Sequence, residues 1–353
     1  MDETKIRHRT AGYWKSRFET LEKLEHDKAL ASYEIIAREF QKVIRETDKE
    51  IAAFYTLFAD KNNVTLADAK RLLSNKELKE LHWTLEEYIA YAKENELNGQ
   101  WIRQLENASI LKRVSRLESV KLAIQQHAEV AYGKVTHVIS DLAKDVFEDT
   151  YYRTGFELSK GIGVTSTFDS VDTKLIDQVI KKPWAVDGAN FSDRIWKEKT
   201  QMVNQLHTSL TRMLARGEKP DRAIKEMTKF VKDSYTNKTL AARRLIMTES
   251  SYFSSKAQQE SFNEFGVEKY KIVATLDFKT SDVCQEMDQK VFDMKDYQIG
   301  VTANPFHPNC RTTTVPHYPE RIDSVRAARG LDGKTYYVPD SIDYKEWKEK
   351  YVK

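Results

Sequence analysis

Cysteine is almost missing from this sequence: there are two in 353 residues, Cys284 and Cys310. A disulfide-framed secreted scaffold needs several pairs, so that class is excluded and synthesis inside a cell is expected. Long apolar runs are missing too. None approaches the ~18 residues needed to cross a bilayer, and the opening MDETKIRHRT lacks the apolar stretch of a secretory signal. No membrane association is expected. Nor is there a surplus of one charge, since 57 basic and 54 acidic side chains leave a formal +3. That balance disfavours a dedicated nucleic-acid binder unless charge is segregated along the chain. Helix breakers are scarce in one half only. No proline precedes Pro183, and only Gly12, Gly99 and Gly133 interrupt residues 1–150, whereas four of the 7 prolines crowd between Pro305 and Pro319. Two architectures are expected to share the chain.

What is present is apolar periodicity. Trp14, Phe18, Leu21 and Leu24 fall on one helical face, which Ile36, Phe40, Val43, Ile51, Phe54 and Phe58 continue. A break is expected at Lys61-Asn62-Asn63, with Thr65 capping a shorter helix. Leu85, Tyr88, Ile89 and Tyr91 mark another, ending near Asn98-Gly99, and Leu111 to Val146 mark a second long run. Residues 1–150 are thus expected to form a helical bundle or an elongated arm. Gly155, Gly161, Gly163, Pro183 and Gly188 suggest an irregular linker or docking segment over 151–190.

Three helices are expected next: Phe191 to Gly217, Pro220 through Val231, and about Asn237 to Phe265, with Gly217 and Gly266 as stops. The period then becomes two. Tyr270, Ile272 and Ala274 alternate with Lys271, Val273 and Thr275, and short strands are expected at Lys290–Phe292 and Arg311–Val315. The class is α+β: a long, mainly helical N-terminal region, then a small module over 191–320 with an antiparallel sheet packed on its three helices. In the 321–353 tail, Asp332-Gly333 marks a turn before a strand at Tyr336-Tyr337-Val338. Asp343 with Glu346 reads as the capping box of a last helix.

Charge is in fact segregated. Residues 201–260 hold 11 Lys and Arg against 6 Asp and Glu, and residues 265–320 hold 6 against 8. Arg212, Arg216, Lys225, Lys229, Arg243 and Arg244 are candidates for a weak, salt-dependent contact with DNA phosphates. The plain alternative is a solvated helix face.

Both cysteines fall in the one stretch with the density of a site, formed by Asp277, Cys284, His307 and Cys310 with His317 nearby. Pro305 and Pro308 stiffen the His307-x-x-Cys310 loop, which offers two ligands to a structural zinc. Cys284, with Asp277 or His317, would complete a tetrahedron. Two other readings stay open: a hydrogen-bonded core, and a Cys284–Cys310 disulfide. Thr248-Glu249 is a candidate tether to the sheet module, Arg244, Thr248 and Tyr252 sharing one helical face. No H-E-x-x-H, G-x-S-x-G or phosphate-cradling glycine loop occurs. His127-Ala128-Glu129 matches the first half of a zinc-deaminase signature whose second half is absent. No catalytic residue is assigned; a metal-dependent hydrolase or nuclease built on Asp277, Cys284, His307 and Cys310 is the competing reading.

Two strings, D-x-K-T-S-x-x-C at 277–284 and P-x-H-P-N-C-R at 305–311, with Arg243–Glu249 before them, resemble the phage Mu protein F-like family of minor head proteins. The resemblance spans roughly residues 180 to 320 and carries Thr248, Glu249, Thr280 and Arg311 as structural motif residues. The sequence departs from it at Met247, Gln289 and Asn304, where the family commonly has Arg, Gly and Pro. It implies a virion component without enzymatic activity. Such a protein is assembled in the host bacterial cytoplasm and sits in the capsid interior near the portal. The implied partners are the portal, the major capsid or scaffolding protein, and non-specific DNA during packaging or ejection. Residues 321–353 are expected to be too short for an added catalytic domain.

Overall fold

The computed structural model describes residues 11–58, 64–71, 85–94, 97, 99–111, 115–162, 171, 173–184, 188–217, 219–318, 325–329, 335–339 and 342–351. The turns expected at Lys61-Asn62-Asn63 and Asp332-Gly333 lie outside these residues. The helices are α1 (Ala11–Thr56), α2 (Leu66–Ala69), α3 (Leu85–Glu94), α4 (Gly99–Leu111), α5 (Arg116–Ile162), α6 (Thr173–Lys181), α7 (Phe191–Arg216) and α8 (Pro220–Glu264). Then come β1 (Lys269–Val273), α9 (Asp282–Met287), β2 (Val291–Asp293), β3 (Thr313–Pro316), β4 (Val325–Arg329), β5 (Thr335–Pro339) and α10 (Tyr344–Tyr351). The α+β class expected from the sequence is borne out, with long helices first and the sheet module last.

Local chemistry explains several boundaries. Thr65 and Asp68 form a reciprocal capping box at α2, each amide bonded to the other's side chain at 3.0 and 3.2 Å. Ser115 and Glu118 do the same for α5. Gly217 and Gly266, both at φ 63°, end α7 and α8 in the left-handed conformation that glycine adopts without cost. At α10, the Asp343 carboxylate accepts from the Glu346 amide at 2.8 Å.

Three expectations are corrected. Gly99 opens α4 rather than closing its predecessor. The break expected between Val231 and Asn237 is absent. That stretch has no Gly or Pro, and Tyr235, fully buried one turn after Val231, carries the apolar stripe across it. Nor is 151–190 irregular throughout, because α5 continues to Ile162 and α6 follows. Gly161 is a packing residue rather than a breaker. A Cβ there would lie 2.1 Å from the Trp14 ring, so the glycine is what lets the indole lie against the helix.

The chain divides into two compact units: Met1–Tyr33, Ile139–Asn190 and Arg243–Lys353 in the first, Glu34–Val138 and Phe191–Ala242 in the second. A cut falls at 190/191, where one was expected, but none falls at 150 or 320, since α1, α5 and α8 each supply residues to both units. The second unit is helical. Phe40 of α1 meets Tyr132 of α5 at 5.4 Å and Tyr235 of α8 at 5.8 Å, and a buried Lys199–Glu129 ion pair joins α7 to α5.

The first unit carries the sheet, in the order β2-β1-β3 and antiparallel throughout, with Tyr270 opposite Phe292 on one side and Pro316 on the other. Its core joins Trp14, Phe18 and Leu21 of α1, Leu158 of α5 and Phe262 of α8 to Tyr270, Ile272, Val273 and Val315. The helical cover therefore comes from α1, α5 and the end of α8 rather than from α7 and α8. Strands β4 and β5 form a hairpin that meets the main sheet through a Leu276–Ala328 bridge. Leu276, Val338, Tyr344 and Trp347 pack together there.

Candidate functional site

The two motif strings meet in the first unit. Asp277 lies just after β1 and Arg311 just before β3, and pairing of these strands brings the residues together. The contact is bidentate, with Arg311 Nη1 and Nη2 at 2.6 and 2.8 Å from the Asp277 carboxylate oxygens. The Lys279 amide donates to the same carboxylate at 2.9 Å. Thr280 closes the turn by donating to the Thr275 carbonyl, and the Thr275 hydroxyl donates to the Arg311 carbonyl at 3.0 Å. Burial works to raise the Asp277 pKa, but the Arg311 hydrogen bonds and charge outweigh it and hold the carboxyl below its ordinary value.

Cys284, His307 and Cys310 form a second cluster. Ser281 caps α9 by accepting from the Cys284 amide, which sets the cysteine in the helix's first turn. Its Sγ lies 3.1 Å from His307 Nε2 and 3.6 Å from Cys310 Sγ. Both thiols are buried beside Ala274 and Phe306, and both are free. The two sulfurs are within hydrogen-bonding distance of each other. Hydrogen bonding from Cys284, helped by the backbone at Phe306 and Thr312 against the effect of burial, draws Cys310 down to about 6. The Cys310 hydrogen bond and burial push Cys284 up.

Asp277 does not join this cluster, contrary to the four-residue set expected from the sequence. Its oxygens are committed to Arg311, a stronger fixed partner than a shared site would leave free. His317 stands at the far end of β3, where its amide pairs with the Lys269 carbonyl.

Thr248 and Glu249 are separate anchors on α8. The Thr248 hydroxyl accepts from the Asn309 amide at 3.4 Å, one residue before Cys310. Buried Glu249 accepts from Trp184 Nε1 at 2.9 Å, and the Trp184 ring stacks on Tyr252 at 4.7 Å. One turn on, the sequence reading missed a buried polar network. Ser255 and Thr314 flank the Tyr297 hydroxyl at 2.8 and 3.3 Å, and Gln258 exchanges hydrogen bonds with Thr313 and Thr314. Small polar residues at helical spacing (Ser254, Ser255, Gln258, Ser261) were its visible signal. Also missed was a cavity of about 380 Å³ beside the Asp277–Arg311 pair, lined by Glu19, Glu22 and His26 of α1. Burial pushes Glu22 up to about 8, against the pull of Arg311.

This closed motif pair lies inside a recognised family segment. Residues 204–315 match the family described as Phage Mu protein F like protein. The resemblance carried by the two strings is therefore borne out. Over a longer stretch, the chain is 22% identical over 258 residues to the Minor head protein GP7 of Bacillus phage SPP1, covering 70% of this chain and 82% of that protein. No solved structure matches. Together the two matches support a role in phage head morphogenesis. Six basic residues of the F-like segment are exposed: Arg212, Arg216, Lys225 and Lys229 in the second unit, Arg243 and Arg244 in the first. No described helix is long and apolar enough to cross a membrane.

Proposed function

We propose that this protein is a minor capsid protein of a tailed bacteriophage. It assembles in the host cytoplasm, enters the procapsid, and binds the portal and the capsid interior, through either the major capsid or the scaffolding protein. The observation that carries the reading is the F-like segment, whose two motif strings close on each other through Asp277–Arg311. The name of the SPP1 relative supports the same role. The protein acts as a structural component rather than an enzyme. Asp277, the carboxylate a hydrolase would need, is held by a guanidinium.

Removing the gene from the phage that encodes it tests the role. Heads are expected to form but to be defective in assembly fidelity or DNA delivery, with infectious yield restored by the wild-type gene in trans. A normal yield without the protein overturns the reading. The exposed cations of α7 and α8 supply a sequence-blind DNA contact. Replacing Arg212, Arg216, Lys225 and Lys229 by Gln should weaken duplex binding and flatten its salt dependence, by about 0.9 in the log–log slope for each phosphate no longer neutralised. Binding with no salt dependence in the wild-type chain argues against it.

A further inference from the structure

We propose that Cys284, His307 and Cys310 bind a zinc ion whose role is to fasten the 306–310 loop to the first turn of α9. These three donor atoms form the cluster able to hold a metal ion among the described residues, all lying within 4.8 Å of one another. Zinc takes sulfur at about 2.3 Å and imidazole nitrogen at about 2.0–2.1 Å in a tetrahedral shell. That geometry puts two sulfurs roughly 3.8 Å apart and a sulfur and a nitrogen roughly 3.5 Å apart. The protein holds Cys284 and Cys310 Sγ at 3.6 Å and Cys284 Sγ and His307 Nε2 at 3.1 Å. Two of the three donor pairs are therefore already near the edges of a coordination tetrahedron, and the third lies within 4.8 Å.

The surroundings fit as well. His307 Nδ1 lies 2.8 Å from the Pro308 carbonyl, so it carries the proton and donates there, leaving the Nε2 lone pair facing the sulfurs. Metal-binding histidines are oriented by this outer hydrogen bond. Two thiolates and an imidazole select zinc over calcium or magnesium, which take oxygen shells. The fourth position falls to water or a donor outside the described residues, since Asp277 is committed to Arg311 and His317 lies at the other end of β3.

The role is structural because of what the loop carries. Asn309, between the two loop ligands, meets Thr248 of α8, and Arg311, next to Cys310, holds Asp277. Fixing Cys284 to His307 and Cys310 locks both contacts at once.

The test uses the full chain, reduced and stripped of metal, titrated with Zn²⁺ against a chromophoric chelator and separately with Co²⁺. Stoichiometric zinc, tetrahedral cobalt bands with thiolate charge transfer, and protection of both cysteines from a thiol reagent are expected. His307→Ala, which removes a ligand itself, should weaken zinc by more than the roughly 10–100-fold that loss of a ligand's outer hydrogen-bond partner costs. His307→Cys, which restores a donor, should keep the metal and strengthen the thiolate band, a readout that survives if the alanine variant misfolds. Hydrogen exchange should speed up at 306–311 when zinc is withdrawn. Reduced wild-type chain that binds no zinc, or cobalt bound without thiolate bands, overturns the proposal. So does a His307→Ala variant with unchanged affinity.

Discussion

Replacing Arg311 by Ala removes the guanidinium that closes the two motif strings. The Asp277 side chain is 12% exposed and that of Arg311 29%. After the change the carboxylate keeps the Lys279 amide but loses both charge-assisted bonds and its counter-ion. Breaking a fully buried pair costs about 3–5 kcal/mol. The partial exposure of Arg311 lets water restore some of this, which brings the figure to about 2–3 kcal/mol. Arg311→Lys keeps the charge but not the fork, and should cost about half as much. Because the chain holds two units, a single global transition is a poor monitor, and the local readout is hydrogen exchange at the Lys279 and Thr280 amides. A loss of 2–3 kcal/mol corresponds to exchange roughly 30–150 times faster in Arg311→Ala at neutral pH. The sign with pH follows from the depressed Asp277 pKa. Its stabilising contribution is complete above the unfolded value of about 3.9 and is lost as pH falls through the lower folded value. Wild type and variant should therefore converge in acid. Unchanged exchange at neutral pH, or a difference that persists once Asp277 is protonated, refutes the reasoning.

Gly161→Ala and Gly133→Ala test packing against propensity within the same helix. Alanine is worth about 1 kcal/mol over glycine in a helix interior, but at 161 the new Cβ would sit 2.1 Å from the buried Trp14 ring. Urea titration should show a net loss of about 1–3 kcal/mol or more there. At 133, where Leu97 Cδ2 lies 3.1 Å away and can give, the change should be near neutral or favourable. Glu25 is buried, with Lys28 3.6 Å from one oxygen, and burial lifts its pKa to about 8. Its folded-state proton stabilises fully below about 4.5, and that contribution is lost as pH rises through about 8, a window shared with Glu22. Glu25→Gln should stabilise the protein at pH 8 and flatten its stability–pH curve between those values; an unaltered curve counts against it. Gln289 holds a left-handed φ of 66° at the position where the F-like resemblance expects glycine. Gln289→Gly should raise the melting temperature by releasing about 1 kcal/mol or less of backbone strain, and a fall would locate a packing role for the glutamine.

Much of the fold was legible because it is written in local periodicity. The stripe from Trp14 to Phe58, the change of period after Gly266, the left-handed stops at Gly217 and Gly266 and the cap at Thr65 need only a few neighbouring residues each. The misreadings share a physical cause. Gly161 looks like a breaker in sequence, yet a helix tolerates one glycine when tertiary packing supplies more than the propensity lost, and Trp14 does so from 147 positions away. The division at residue 150 failed for the same reason, because helices α1, α5 and α8 each serve two cores.

The site divides in the same way. Composition and spacing by themselves grouped Asp277, Cys284, His307 and Cys310 as a candidate site, and the resemblance of the two motif strings to the F-like family added Arg311. Which of them touch was decided only by tertiary structure. Antiparallel pairing of β1 with β3 sets Asp277 against Arg311, while the cap on α9 turns Cys284 toward His307 and Cys310. Glu19, Glu22 and His26 reach the same place from α1, over 250 residues earlier in the chain. No local pattern encodes such a meeting, because contact between distant segments is set by which apolar faces bury each other and not by the polar residues they carry along.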